Sequence, residues 1–184
     1  MQQVDIIRHL AEAAHACDAL VVSEIGSQTQ WLYSSGDHPS HLYLSGPMGM
    51  GPSVALGVAL AQPDRPVLGI CGDGALAMNL NALVTINHHA PKNLILALMD
   101  NGVYELTGKV ESPTASMDWE KFIHGLPHFA YQPVTTADTH VSFSAAGGLT
   151  FMHAKLEASN AKAPSFPLAP EEIHRRFKHF LQTA

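Results

Sequence analysis

The hydrophobic positions along the chain alternate between two spacings. Residues 3–16 (QVDIIRHLAEAAHA) carry apolar side chains at Ile6, Ile7, Leu10, Ala11 and Ala14, which predicts a helix. "ALVVSEIG" (19–26) is a β-branched run closed by Gly26, so a buried strand is expected. "SQTQWLYSS" (27–35) reads as a helix and "HLYLSG" (41–46) as a strand. "PSVALGVALAQ" (52–62) is a helix with a small-residue face, suited to close packing on a sheet. "RPVLGIC" (65–71) and "NLILALMD" (93–100) are continuous apolar strands. Between them, "ALAMNLNALVTINHH" (75–89) places Leu76, Leu80, Leu83, Val84 and Asn87 on one side of a single amphipathic helix. Beyond residue 103 the pattern weakens. "SMDWEKFIHGL" (116–126) is a helix, "FMHAKLE" (151–157) a late strand, and "PSFPLAP" (164–170) a linker into a final helix. That helix, "APEEIHRRFKHFLQ" (169–182), puts acids early and bases late, as the helix dipole prefers.

Near-continuously apolar strands alternating with helices predict an α/β fold, a parallel sheet with helices on both faces. The 184 residues are expected to form one three-layer domain, 1–184, with no second unit. Composition adds exclusions. The net charge of −6 and the absence of a Lys/Arg run argue against nucleic acid or an anionic membrane as partner. No apolar run reaches the roughly 20 residues of a membrane span. Asp5, Arg8 and His9 interrupt the N-terminus, so no signal peptide is expected. The two cysteines, Cys17 and Cys71, read as reduced small hydrophobes in a reducing, cytoplasmic compartment. The twelve histidines are scattered without a metal-binding helix motif, and most read as surface residues. The charged fraction, 14%, is low enough to suggest a sizeable buried interface.

Chemistry concentrates at the ends of the two apolar strands. The first ends in Gly72-Asp73-Gly74 and the second in Asp100-Asn101-Gly102. Either triplet alone is an ordinary turn. Together they are more informative, because ligands of open α/β sheets bind outside the carboxyl ends of the strands. If the two strands are neighbours, their backbones lie about 4.8 Å apart and Asp73 and Asn101 would reach one cation. A carboxylate and a carboxamide are hard oxygen donors that suit Mg²⁺ or Ca²⁺ rather than zinc. Glycines 72 and 74 and the helix start at Ala75 would admit a phosphate to the backbone.

Gly-Asp-Gly, 26 further residues and then Asn resembles the thiamine-diphosphate motif. The resemblance is to the diphosphate-binding domain of thiamine-diphosphate-dependent 2-keto-acid decarboxylases. "SGPMGMGPSVALGVALAQPDRPVLGICGDGALAMN", "NGVYELTG" and "PSFPLAPEEIHRRF" look like the matching segments of phosphonopyruvate and sulfopyruvate decarboxylases, the latter's β subunit included. Residues 111–150 resemble them least. The resemblance implies the thiamine-diphosphate-binding fold, with Asp73, Asn101 and the Val103 carbonyl as Mg²⁺ ligands. It places Gly72, Gly74 and Ala75 along the diphosphate, Gly26, Ser27 and Gln28 at a second diphosphate contact, and Tyr104 beside the cofactor. Met48 matches the apolar wedge that bends the cofactor, and the Gly46 carbonyl matches the acceptor for its 4′-amino group. Without the resemblance, Met48 would read equally as core filling. Leu106 and Thr107 match positions near substrate and are the candidate catalytic residues.

Two positions depart from the pattern. Asp100 stands where many relatives have asparagine, and would either strengthen the cation site or face away. Lys109 and Val110 follow Thr107-Gly108 where relatives often have glycine and glutamine, which leaves substrate identity open; Lys109 is either a partner for an anionic head group or a solvated loop lysine. The family also needs a glutamate from a pyrimidine-binding domain, and nothing in the chain resembles one. The expectation is therefore one subunit of a split decarboxylase of a small 2-keto acid, an anionic 3-substituted pyruvate such as phosphonopyruvate or sulfopyruvate, its α subunit separate, in a hetero-oligomer or about a homodimer of this chain. The alternatives are a carboligase or 2-keto-acid oxidoreductase subunit, or a non-catalytic cofactor-binding module. A nicotinamide site is disfavoured because no GxGxxG follows the first strand.

Overall fold

The computed structural model describes residues 1–136, 139–159 and 161–183. In chain order the elements are α1 (Gln3–Ala16), β1 (Leu20–Ser23), α2 (Ser27–Ser34), β2 (His41–Tyr43), α3 (Gly51–Ala61), β3 (Val67–Gly72), α4 (Asp73–Met78), α5 (Asn81–His89) and β4 (Leu94–Asp100). Then come β5 (Val103–Tyr104), a 3₁₀ turn (Glu105–Thr107), β6 (Val110–Glu111), α6 (Trp119–His124), β7 (Ala130–Val134), β8 (Thr150–Lys155) and α7 (Pro170–Thr183). Six strands form one parallel sheet in the order β2-β1-β3-β4-β8-β7, and β5 pairs with β6 as a small antiparallel ribbon.

Side chains alternate across a strand, so each apolar strand feeds two cores. Val21, Leu68, Ile70, Ala97 and Met152 meet α1 and Leu32 of α2 on one face. Leu20, Val22, Val67, Leu96, Leu98 and Phe151 meet α3, α5 and α6 on the other. Helix α7 reaches both layers, giving Ile173 to the first core and Phe177 to the second. A Cβ on Gly69 would stand 2.8 Å from Leu96 and 2.9 Å from Ala55. The small face of α3 thus presses directly on the sheet.

The structure alters four expectations. The helix expected over 75–89 is two helices broken at Asn79, whose backbone (φ −145°, ψ 49°) leaves the helical region. The break redirects the second helix, so Val84 is exposed rather than packed with Leu83. Residues 164–170 are more than a linker, for Phe166 packs edge-on to Tyr33 and against Tyr43. Strand β7 and the β5–β6 ribbon give no periodic signal, being five and two residues long with mixed exposure.

One histidine group is also inside. His41 is 2% exposed, and its Nε2 lies 2.7 Å from Nε2 of His15. Such a bond needs one ring to donate and the other to accept, so one ring stays neutral. Burial, reinforced by His15, His38 and Arg176, pushes the His41 pKa down to about 3. Its folded pKa is below the unfolded value, so its full contribution to stability exists above about pH 6.5 and fades as pH falls. Between pH 6.5 and 5 this costs about 2 kcal/mol at ~1.36 kcal/mol per unit. Urea unfolding at pH 7.5 and 5.0 should show wild type losing about that much more than His41→Asn; equal losses would show that His41 does not carry the acid sensitivity.

Candidate functional site

Strand order reverses between β1 and β3, the topological switch point at which α/β sheets bind ligands. A cavity of about 220 Å³ opens there. The β1 end contributes Gly26, Ser27 and Gln28, and the β3 end contributes Gly72, Asp73, Gly74 and Ala75. Asn101 follows β4, Val103 and Tyr104 form β5, and Leu106 and Thr107 lie on the 3₁₀ turn between β5 and β6. Met48 enters from the loop before α3. Strands β3 and β4 are adjacent and parallel, with Gly72 opposite Met99, so Asp73 and Asn101 leave neighbouring strand ends.

Local backbone explains the glycines. Gly26 has φ +81°, a region costly for other residues, and a Cβ there would lie 3.0 Å from Leu106. A Cβ on Gly72 would lie 2.6 Å from the Gln28 amide, and one on Gly74 would lie 2.3 Å from the Tyr104 ring. Gln28 and Tyr104 therefore close on bare backbone at Gly72 and Gly74. Helix α4 begins there without a side-chain cap, leaving its early N–H groups for another acceptor. At six residues α4 offers local N–H donors rather than a long-helix dipole.

Asp73 is 2% exposed, and its Oδ2 accepts a 2.9 Å hydrogen bond from the Thr114 hydroxyl. Asn101 Oδ1 accepts from the Val103 amide at 3.1 Å, which fixes which end of the carboxamide is the oxygen. Carboxylate, carboxamide and carbonyl oxygens are a donor set that fits a hard divalent cation.

Other sequence-derived positions lie elsewhere. Gly46 is exposed, two residues before Met48 and off the cavity lining. Lys109 is exposed with φ +59° and is also off the lining. Asp100 faces away from the cavity: its Oδ2 accepts from His153 at 2.9 Å and Lys155 at 3.0 Å on β8. Burial would raise the Asp100 pKa, but these two hydrogen bonds outweigh it and hold the carboxyl below its usual range.

Sequence reasoning missed Glu24, Asn79 and Thr114. Glu24 had a signal, an acid inside an apolar run just before Gly26. Thr114 had none, since it lies in an irregular stretch far from Asp73 in sequence.

The family model for the thiamine pyrophosphate enzyme C-terminal TPP binding domain matches residues 24–154. The chain is 35% identical to sulfopyruvate decarboxylase of Methanosarcina acetivorans over 92% of this chain and 45% of that protein. It therefore spans less than half of that relative. It is 36% identical to the β subunit of sulfopyruvate decarboxylase of Methanothermobacter thermautotrophicus, over 87% of this chain and 85% of that subunit. The fold matches benzoylformate decarboxylase from Polynucleobacter necessarius with a TM-score of 0.69 at 16% identity, over 86% of this chain and 34% of that one. A cavity walled by glycine backbone and two oxygen-bearing strand ends thus coincides with a family match over most of the sequence, and the chain belongs to the thiamine pyrophosphate enzymes, in the part described as their C-terminal TPP-binding domain.

Proposed function

We propose that this chain is the diphosphate-binding subunit of a thiamine-diphosphate- and Mg²⁺-dependent 2-keto-acid decarboxylase. The observation that carries the reading is the meeting of Asp73, Asn101 and the backbone of Gly72 and Gly74 in one cavity at the switch point. Asp73, Asn101 and the Val103 carbonyl would hold the cation. The N–H groups at 74–75, with Ser27 and Gln28 opposite, would take the diphosphate. Met48 would support the cofactor from the α3 side, while Tyr104, Leu106 and Thr107 would exclude water and shape the substrate end. When bound, thiamine diphosphate supplies the electron sink for loss of carbon dioxide; the protein supplies binding, orientation and electrostatics.

A separate pyrimidine-binding subunit completes this proposal. Two observations support it. A cavity of about 220 Å³ is below the ~300–1,000 Å³ of complete small-molecule sites. A relative of which this chain covers 85% is itself named a β subunit. The substrate proposed is a pyruvate bearing a second anion at C3, such as sulfopyruvate or phosphonopyruvate. The test is to co-purify the chain with its partner and assay a panel of 2-keto acids. A kcat/KM at least about 100-fold higher for the dianionic pyruvates than for pyruvate is expected, about 2.7 kcal/mol of discrimination. Equal values across the panel would refute the substrate class.

A further inference from the structure

The fully buried carboxylate of Glu24 is used by none of the chemistry above. It sits one residue past β1. Its Oε1 accepts from the Ile25 amide at 3.0 Å, and its Oε2 accepts from the amides of Gly49 at 3.2 Å and Gly51 at 2.9 Å. A buried carboxylate is costly unless several donors hold it, and charge-assisted bonds of this kind are the strong ones. The Gly51 N–H opens α3, whose N-terminus has no side-chain cap of its own, so Glu24 supplies the cap from another element. The carboxylate presses on the α3 backbone, since a Cβ on Gly51 would lie 3.0 Å from Glu24 Oε2.

The opposite side of the same loop is also held. Asn79 donates from Nδ2 to the Gly49 carbonyl at 3.0 Å and to Ser53 Oγ at 3.4 Å. Asn79 is the residue at which the expected long helix breaks, and the break presents its amide to the loop. Gly49 has φ +93°, and a Cβ there would stand 3.0 Å from the Ala75 carbonyl. Met48 lies between the exposed residues 45–47 and these two clamps.

The geometry points to Glu24 as a positioning residue: with Asn79 opposite, it fixes the 49–51 backbone and thereby the place of Met48 in the cavity wall. This rests on the reading of Met48 as the cofactor's apolar support. Glu24 also bonds Ile25, which lines the cavity beside Gly26, so one carboxylate sets the spacing of two walls. Glutamine keeps the shape but offers one acceptor oxygen and turns an NH₂ toward a backbone N–H.

The test uses the chain assembled with its partner. Three quantities are measured: affinity for thiamine diphosphate by calorimetry, deuterium exchange at C2 of the bound cofactor, and amide exchange at Gly49 and Gly51 in the cofactor-free chain. Glu24→Gln should speed exchange at both amides and slow C2 exchange at least about tenfold, with affinity changed by no more than about threefold. Combined with Met48→Ala, it should add nothing beyond Met48→Ala alone. A wild-type C2 rate in Glu24→Gln, or effects that multiply in the double variant, overturns the positioning role. If Met48→Ala itself leaves the C2 rate unchanged, the reading of Met48 fails instead. Should Glu24→Gln not fold, Asn79→Ala takes its place at the half-buried clamp; a slower C2 rate that is not additive with Met48→Ala supports the proposal, and a wild-type rate overturns it.

Discussion

Asp73→Ala is expected to abolish Mg²⁺-dependent binding of thiamine diphosphate by the assembled enzyme. Asp73 is the single charged member of the proposed cation set. Its carboxylate is 2% exposed, so solvent cannot replace it easily. Alanine also removes the carboxylate acceptor of the Thr114 hydroxyl, which now donates to Oδ2 at 2.9 Å and would keep only Ser112 Oγ at 2.8 Å. Asp73→Asn isolates the charge, because its carboxamide oxygen can still accept from Thr114. Calorimetry with Mg²⁺ and with chelator should show both variants weakened by two orders of magnitude or more, about 2.7 kcal/mol. A second readout separates folding from binding. A buried carboxylate costs stability when no cation is bound, so Asp73→Asn should leave the cofactor-free chain as stable as wild type or more so. Unchanged cofactor affinity in Asp73→Asn and Asp73→Ala would remove Asp73 from the metal site.

The second large effect concerns the missing half. Purified alone, with thiamine diphosphate and Mg²⁺ in excess, the chain should decarboxylate 2-keto acids about 10²–10⁴-fold more slowly than the pair, the usual worth of a positioned acid–base group. Two carboxylates line the cavity, Asp73 and Glu105. Asp73 is engaged by Thr114, and Glu105 sits on the 3₁₀ turn between β5 and β6. If Glu105 activated the cofactor, the isolated chain would turn over at the full rate and Glu105→Gln would remove it. Adding the partner should instead restore activity to wild type and to Glu105→Gln alike. Full turnover by the chain alone would sink the split-subunit proposal.

Much of this was legible in the residues. Continuous apolar runs at 67–72 and 94–100 require burial on both faces, which requires a parallel sheet covered by helices. The sheet in turn places Asp73 and Asn101 at neighbouring strand ends, as the paired turns imply. Glycines 26, 72 and 74 were legible for a related reason, since a turn or a close approach demands them wherever the partner lies.

Other features depended on which strand lies beside which. Asp100 and Asn101 are consecutive, yet one is buried and bonded by His153 and the exposed Lys155 while the other lines the cavity. Only the pairing of β4 with β8, which sets Asp100 opposite Lys155, decides that. Asn79 reads as a polar residue in a helix until Gly49 is found against it. Glu24 reads as an acid misplaced in a strand until the 49–51 amides close on it. Periodicity reports how each segment is buried, because local geometry fixes which side chains share a face. It carries no information on register between distant segments, and that register decides which buried polar groups find partners. The sequence by itself therefore determined the fold class and the two arms of the proposed cation site. Tertiary structure alone decided where Asp100 turns, what holds Asp73, and how the loop carrying Met48 is fixed.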